Sequence, residues 1–258
     1  MEAMRSAVIL AGGNSSRLGE EKSLLIFDGR PLICWAVETL AGVADEIIIV
    51  ARDERHAVRL EEIIRACFCS PGNETGIGRE IEIGTDMHIE ISFSWDSVPG
   101  FGPVAGLDAG LSKARGEFAF ATGCDLPFLN ARVVDRLFEL AGGDGDYEAA
   151  VPVQPNGFFE PLHSVYHREK MGRSCSRAVE RGERRIHAPL QELRVNRVPM
   201  ELLRTIDPEL LTFFNLNTRE DLERARALWP KKGSSVQPQA AKENSEKASF
   251  PFPPVPVR

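Results

Sequence analysis

The sequence predicts an α/β fold, a doubly wound and mostly parallel sheet with helices on both faces, because short apolar runs alternate with segments of helical periodicity. Three apolar runs read as buried parallel strands and a fourth as a further strand: residues 7–11 (AVILA), 46–51 (EIIIVA) and 117–122 (EFAFAT), then 149–153 (AAVPV). Ligands of such sheets bind outside the carboxyl ends of the strands, so the residues that follow each strand are the candidates for function.

Helical patterns separate these runs. Residues 31–42 (PLICWAVETLAG) start with proline and stop at Gly42, and residues 132–141 (RVVDRLFELA) end in Gly-Gly. The segment 67–94 departs from the alternation, since glycines interrupt stretches of period two, and it is interpreted as a β-hairpin-like insertion. Farther on, the pattern predicts helices and one strand pair near residues 194–198 and 213–216.

Composition bounds the class of protein. A chain of 258 residues, 43% of them hydrophobic, is sufficient for one α/β domain, which is predicted over residues 1–230. The net charge of −7 argues against nucleic acid or an anionic membrane as the main partner. No apolar run approaches the ~18 residues of a membrane span.

Five scattered cysteines predict no disulfide framework and favour the cytoplasm. Residues 231–258 are expected to form a disordered Pro-rich tail, for which a docking role is the alternative.

The first strand runs into a glycine-rich loop with two basic residues, LAGGNSSRLGEEK, over residues 10–22. Paired glycines let backbone N–H groups approach a phosphate, and Arg17 and Lys22 add positive charge, so the loop predicts a phosphate cradle. Glu20 and Glu21 separate Gly19 from Lys22, which excludes a Walker loop, and the spacing of a dinucleotide fingerprint is also missing. A simple glycine turn with surface charges is the structural alternative.

The third run ends in TGCDLP, residues 122–127, which places Asp125 where a strand meets the ligand crevice. Magnesium takes only one or two protein carboxylates and completes its octahedron with phosphate oxygens and water, so Asp125 is the candidate metal ligand. An aspartate before proline also occurs as a turn former. The five histidines show no zinc-type spacing with cysteine, although His163 and His167 are four residues apart, as on one helix face.

A further loop, residues 95–110, is rich in glycine and proline and enters a helix that presents small residues. Asp96 stands at its mouth, and close backbone approach to a nucleotide would require such residues. Gly106 and Gly110 lie at i, i+4, so tight helix packing explains them equally well.

Together, the pattern LAGG-x-S-x-R-x-G-x-x-K, the GPVAGL of residues 102–107 and the CDLP of residues 124–127 resemble the molybdenum cofactor guanylyltransferase family. Two later motifs extend the resemblance over residues 5–229, namely GERRI (182–186) and FNLNTREDL (214–222). Two features depart from the family's pattern: Val50 ends the second strand where similar proteins often place asparagine, and the segment 67–94 is longer than expected.

The resemblance implies a Rossmann-like sheet of the nucleotidyltransferase type and a set of site residues. The residues implied to hold the GTP phosphates are Leu10, Ala11, Gly12, Gly13 and Lys22. Asp96 is implied to contact the nucleotide, and Asp125 both the nucleotide and Mg²⁺. Asn215 and Asn217 are implied to lie toward the pterin acceptor.

The expected reaction is attack of the terminal phosphate of molybdopterin on the α-phosphorus of GTP, which forms the guanine dinucleotide cofactor and releases pyrophosphate. A phosphate monoester has a second pKa of about 6 and needs no strong base, so catalysis is expected to rest on alignment and on charge neutralisation by Arg17, Lys22 and a Mg²⁺ ion held by Asp125. GTP and molybdopterin are the expected partners, with transient contacts to molybdoenzymes or cofactor-biosynthesis proteins.

Two alternatives stay open on the sequence alone. One is a nucleotidyltransferase with another phosphorylated acceptor, such as a sugar phosphate, or one that uses CTP. The other is a non-catalytic nucleotide-binding regulator or a chaperone that delivers the cofactor.

Overall fold

The computed structural model of the protein describes residues 3–13, 21–68, 80–83, 87–95, 100–143 and 145–229. The strands in these ranges are β1 (Arg5–Leu10), β2 (Ile26–Phe27), β3 (Arg30–Pro31), β4 (Glu46–Ala51), β5 (Glu80–Ile83), β6 (Met87–Trp95), β7 (Phe118–Gly123), β8 (Ala149–Val153), β9 (His163–His167) and β10 (Val195–Pro199). The α-helices are α1 (Leu32–Ala41), α2 (Glu54–Phe68), α3 (Pro103–Lys113), α4 (Ala131–Gly142), α5 (Arg168–Glu180), α6 (His187–Leu190), α7 (Met200–Leu203) and α8 (Arg219–Leu228). The predicted tail, residues 231–258, lies outside the described ranges.

Eight of the described strands form one sheet, in the order β10-β8-β9-β7-β1-β4-β6-β5, and β2 pairs with β3 in a separate ribbon. The strands β10, β8, β7, β1, β4 and β6 run in one direction, while β9 and β5 are antiparallel to their neighbours. The mostly parallel sheet predicted from the sequence is therefore confirmed. Six carboxyl ends lie along the same edge, which we call the carboxyl edge.

The two faces of the sheet are buried by different helices, because successive strand residues point to opposite sides. On β1, Ala7 and Ile9 belong to a core formed with α1, α2 and α4. Val8 belongs to a second core formed with α3, α5 and α6. Helices on both faces, as predicted, leave the loops at the strand ends as the accessible part of the sheet.

The predicted strand pair near residues 194–198 and 213–216 is wrong in its second member. The strand β10 pairs with β8, whereas Leu211–Phe213 forms a 3₁₀ helix and the chain after it is irregular. The carboxylate of Asp207 accepts a hydrogen bond from the backbone N–H of Thr212 at 2.8 Å. Such a local side-chain bond to the backbone competes with strand pairing.

The segment 67–94, expected to be a hairpin-like insertion, contains the end of α2 followed by β5 and β6. These two strands do pair antiparallel, but β6 also pairs parallel with β4. It is thus a member of the central sheet rather than part of an insertion. Residues 69–79 and 84–86 lie outside the described ranges.

Glycine in α3 is explained by packing at one position. A Cβ atom on Gly110 would lie 2.4 Å from Cγ1 of Val8 and 2.9 Å from Cγ2 of Val50, so the helix touches the sheet closely there. A Cβ atom on Gly106 would lie 3.4 Å from Leu10. The packing alternative therefore accounts for Gly110, which lies beneath the carboxyl edge and not in an open loop.

The two histidines spaced by four lie at the ends of β9, not on a helix. The buried ring of His163 packs edge-on to Phe120, with ring centroids 5.2 Å apart, and its Nε2 lies 3.2 Å from Oγ1 of Thr212. Burial lowers the pKa of His163 to about 3. The imidazole is thus a neutral core group.

The described cysteines, Cys34, Cys67, Cys124 and Cys175, are free thiols. No helix in the described ranges has both the length and the apolar character needed to cross a membrane.

Because a Cβ at position 110 has no space, Gly110→Ala should lower the free energy of unfolding by about 1–3 kcal/mol, the usual cost of overpacking. Urea denaturation measures this loss. Gly172→Ala, in α5, is the matched control, since its Cβ would meet Leu111 at an ordinary 3.9 Å. Equal stability of the two variants would contradict the packing explanation.

Because of His163, the free energy of unfolding should also decrease as the pH is lowered. Its folded pKa lies below the unfolded value of about 6.5, so below that pH the unfolded state binds a proton that the folded state does not. Between pH 7 and pH 5 the unfolding free energy should drop by about 2 kcal/mol more in the wild type than in His163→Gln. Denaturation curves at both pH values measure the difference, and parallel losses would refute it.

Candidate active site

The loop after β1 follows the neighbouring strand end closely. The N–H of Ala11 donates to the carbonyl of Val50 at 2.9 Å, which continues the ladder between β1 and β4. A Cβ atom on Gly12 would lie 3.1 Å from the backbone nitrogen of Arg52, whereas one on Gly13 would meet nothing within 4 Å. The first glycine therefore suits the close approach of two backbones, and among the described residues no atom occupies the space beside the second.

Lys22 is the centre of the described site. Its Nζ donates to Oδ2 of Asp125 at 2.8 Å and to Oδ1 of Asn217 at 2.7 Å. The side chains of Lys22 and Asp125 are 20% and 18% exposed, so the pair is largely shielded from water. The sequence predicted that Lys22 and Asp125 converge at one rim of the sheet, and the structure brings them into direct contact.

Two backbone features determine the position of Asp125. It follows β7, and its carbonyl accepts the N–H of Leu216 at 2.9 Å. A Cβ atom on Gly123 would lie 2.6 Å from Oδ1 of Asp125, a distance that real Cβ contacts do not reach. Glycine at 123 therefore leaves the space that the carboxylate occupies.

The C-terminal segment closes the site. Thr218 and Asp221 form a capping box at the start of α8, and Asp221 also accepts the N–H of Asn217 at 3.1 Å. At the other end of α8, the ring of Trp229 packs on Phe27 with centroids 4.8 Å apart, and its Nε1 donates to Asp28. These contacts fix the loop that carries Asn217 against the N-terminal hairpin β2–β3.

Asn215 and Asn217 differ in their surroundings. Asn217 contacts Lys22, so it belongs to the same cluster as Asp125. The exposed side chain of Asn215 donates to the carbonyl of Phe213 at 3.1 Å. Their implied role toward the acceptor stays a prediction.

The GERRI motif packs against the entrance to α3. Arg184 donates to the carbonyl of Gly100 at 3.0 Å, and its guanidinium lies over the ring of Phe101, 5.6 Å from the centroid. Gly102, with φ of 121°, lies where a Cβ would approach Arg184 to 3.3 Å. The motif thus holds residues 100–102, which lead into α3. Asp96 of that loop and Arg17 of the first loop both lie outside the described residues.

Val50, where similar proteins often have asparagine, is buried in the core beneath α3. Its apolar side chain packs against α3 and offers no polar side-chain group where similar proteins have an amide. Cys124, the neighbour of Asp125, is also buried, and burial raises its pKa to about 12. It is therefore a neutral thiol at neutral pH.

A group of residues beside Lys22 was missed in the sequence. Glu21 lies next to His56, Arg52 and Arg59, which come from the end of β4 and from α2. In the sequence, Glu21 is distinguished only by its position: together with Glu20 it separates Gly19 from Lys22, which excludes a Walker loop.

The donors at this edge suit a hard cation shared with phosphate. Asp125 and Asn217 offer carboxylate and amide oxygens, which Mg²⁺ prefers. Because residue 123 has no side chain, Oδ1 of Asp125 can lie close to its backbone. Within the described ranges no three His, Cys, Asp or Glu side chains are grouped to hold a metal alone. Such a site matches an ion bound through one carboxylate and substrate phosphates.

Comparison with known proteins agrees with this geometry. A family model described as the MobA-like NTP transferase domain matches residues 7–195. A probable molybdenum cofactor guanylyltransferase of Methanosarcina mazei is 37% identical, over 86% of this chain and 89% of that protein. The molybdenum cofactor guanylyltransferase of Desulfosudis oleivorans is 31% identical, over 86% of this chain and 94% of its own.

Solved structures give the same result. Molybdopterin-guanine dinucleotide biosynthesis protein A from Archaeoglobus fulgidus superposes with a TM-score of 0.67 at 29% identity, covering 86% of this chain and 97% of that one. A 4-diphosphocytidyl-2C-methyl-D-erythritol synthase from Anaerococcus prevotii, at 14% identity and a TM-score of 0.58, covering 87% and 95%, shares the fold alone. The extent of the family match and the identity to curated relatives show that this chain belongs to the MobA-like NTP transferase family.

Proposed function

We propose that this protein transfers GMP from GTP to the terminal phosphate of molybdopterin, giving the guanine dinucleotide cofactor and pyrophosphate. The observation that carries the proposal is the convergence of Lys22, Asp125 and Asn217 at the carboxyl edge. An ammonium after a glycine loop, beside a carboxylate that can hold a metal cation, provides the positive charge that a polyphosphate needs. The names of the relatives, which span nearly the same length, supply the acceptor.

In this proposal the chain positions charges and supplies no strong base. Backbone N–H groups near Gly13 and the ammonium of Lys22 hold the triphosphate, and the Lys22 contact with Asp125 sets the ammonium before GTP enters. The attacking phosphate of the acceptor is already ionised near pH 7. Arg17 and Asp96 are proposed to contact the nucleotide, as the family pattern implies.

Asp125 would hold Mg²⁺, with substrate phosphates and water completing the coordination. The chemistry that the ion supplies when bound is neutralisation of charge on the phosphate oxygens. Asn217, at 2.7 Å from Lys22, would keep the ammonium in place while the carboxylate is shared with the ion.

The pterin side is assigned to the loop of Asn215 and Asn217, which is anchored to Asp125 through the backbone of Leu216. Free thiols at the described cysteines agree with a cytoplasmic location. Molybdoenzymes or other cofactor-biosynthesis proteins are the proposed transient partners.

The decisive experiment is a pyrophosphate-release assay with each of the four ribonucleoside triphosphates, with and without molybdopterin and Mg²⁺. The expected result is release only with GTP, molybdopterin and Mg²⁺ together. Turnover with CTP, or turnover without GTP when a sugar phosphate replaces molybdopterin, would favour the alternative nucleotidyltransferase. Tight GTP binding without turnover would favour the regulator or chaperone.

Replacement of the central carboxylate should abolish most of the activity. Asp125→Ala removes a partner of Lys22 and the proposed metal ligand, so turnover should fall about a hundredfold or more. Asp135→Ala is the matched control, because Asp135 pairs with Arg5 at the opposite end of the sheet. Near-normal pyrophosphate release by Asp125→Ala, with the fold intact by circular dichroism, would refute the assignment.

Gly123→Ala should reduce turnover without removing any functional group. The new Cβ would displace the Asp125 carboxylate from its position beside Lys22, and a shift of about 1 Å can cost up to a hundredfold. Steady-state kinetics measure the effect. The control is Gly142→Ala, whose Cβ would have only an ordinary 3.9 Å contact with Phe118. Full activity of Gly123→Ala would show that the carboxylate position is not critical.

A further inference from the structure

We propose that Glu21 is a positioning residue, whose carboxylate, held by groups of β4 and α2, fixes the adjacent Lys22 at Asp125. This inference rests on the proposed function for its kinetic consequences, but the placement of Glu21 is seen directly in the fold.

The carboxylate of Glu21 is enclosed by nitrogen atoms. Oε1 lies 2.7 Å from Nε2 of His56 and 3.6 Å from Nη2 of Arg52, and Oε2 lies 3.7 Å from Nη1 of Arg59. The side chain is only 17% exposed. A carboxylate withdrawn from water to this degree is stable only with opposite charges or N–H donors around it, and the two guanidinium groups provide the charge.

His56 is oriented to face Glu21. Its Nδ1 accepts the backbone N–H of Arg52 at 3.1 Å, and its own backbone N–H donates to Asp53 at 2.8 Å. Because Nδ1 acts as the acceptor, the proton of the neutral ring is assigned to Nε2, the atom that faces Glu21. Burial lowers the pKa of His56, which favours this neutral form.

The contact between His56 and Glu21 is buried, but its two facing atoms are poorly aligned for a hydrogen bond. Neither Nε2 of His56 nor Oε1 of Glu21 makes a well-aligned hydrogen bond among the described residues. Buried polar atoms in that condition call for an explanation. Our explanation is that the contact is kept because it holds Glu21, which directly precedes Lys22 at the centre of the site.

Glu21 connects two parts of the carboxyl edge. Its side chain is held at the end of β4 and by α2, and its carbonyl accepts the N–H of Leu24, which closes the 3₁₀ turn Lys22–Leu24. The next residue, Lys22, reaches Asp125 after β7. Anchoring of Glu21 therefore limits where the backbone of Lys22 can lie, and with it the reach of the ammonium.

A purely electrostatic role gives the opposite expectation. A carboxylate near a triphosphate repels it, so if Glu21 acted only through its charge, neutralising it would strengthen GTP binding. If Glu21 positions Lys22, neutralising it weakens GTP binding and slows turnover, and does so only while Lys22 is present.

The test is a double-mutant cycle of Glu21→Gln and Lys22→Ala in the full chain, with GTP affinity measured by calorimetry and turnover by pyrophosphate release. We expect Glu21→Gln alone to reduce kcat/KM roughly tenfold, and to have less than about a twofold effect in the Lys22→Ala background. Arg59→Gln, at an exposed position, should show a smaller loss in the same direction. The matched control is Glu61→Gln, also on α2, where Glu61 pairs with Arg65.

A readout without ligand completes the test. The rate at which an amine-reactive acetylating reagent labels Lys22, followed by peptide mass spectrometry, should rise several-fold in Glu21→Gln and not in Glu61→Gln. Tighter GTP binding by Glu21→Gln, a full effect in the Lys22→Ala background, or an unchanged labelling rate would each overturn the inference. Absence of turnover in the wild type would instead refute the proposed function, and labelling would still decide the role of Glu21.

Discussion

The ammonium of Lys22 is held between two oxygen acceptors that come from distant parts of the chain. Asp125 is 103 residues away and Asn217 is 195 residues away, yet both lie within 2.8 Å of the same nitrogen. Three chain segments must therefore be placed within a fraction of an ångström of one another. Charge-assisted hydrogen bonds of this kind are short and directional, so the remaining architecture has to supply that accuracy.

The sheet and the close packing around it place these three residues with the required accuracy. Because β1, β4 and β7 are parallel neighbours, the loops that follow them start at one edge. Glycine is present where a side chain would push neighbouring elements apart: Gly12 against Arg52, Gly110 of α3 against Val8, and Gly123 beside Asp125. A side chain at any of these positions would shift a strand end or a functional group, which is how backbone packing becomes a condition for chemistry.

Much of this could be predicted from sequence, since local patterns determine it. Apolar runs identified the strands, and the convergence of Lys22 with Asp125 followed from two motifs placed after parallel strands. The strand near residues 213–216 was mispredicted because a side-chain bond from Asp207 redirects the backbone, and no periodicity reveals that contact. Likewise, β6 looked like an insertion because its pairing with β4 is a long-range property.

The residues around Glu21 illustrate the same limit. A glutamate before a lysine has no distinctive signature, and its partners His56 and Arg59 lie far along the chain on a helix that reads as ordinary. The packing role of Gly110 was one of two equal interpretations until the distance to Val8 decided between them. The sequence identified the residues that carry the chemistry, and only the three-dimensional contacts showed which other residues hold them in position.

The closure of the site by α8 has a consequence for synthesis of the protein. Asn217, the backbone bond from Leu216 to Asp125, and the packing of Trp229 on Phe27 all come from the final part of the described chain. A nascent polypeptide that has not yet released these residues from the ribosome has its glycine loop and central strands, but lacks one of the two acceptors of its key ammonium. The carboxyl edge is therefore complete only once the residues up to Trp229 have left the ribosome.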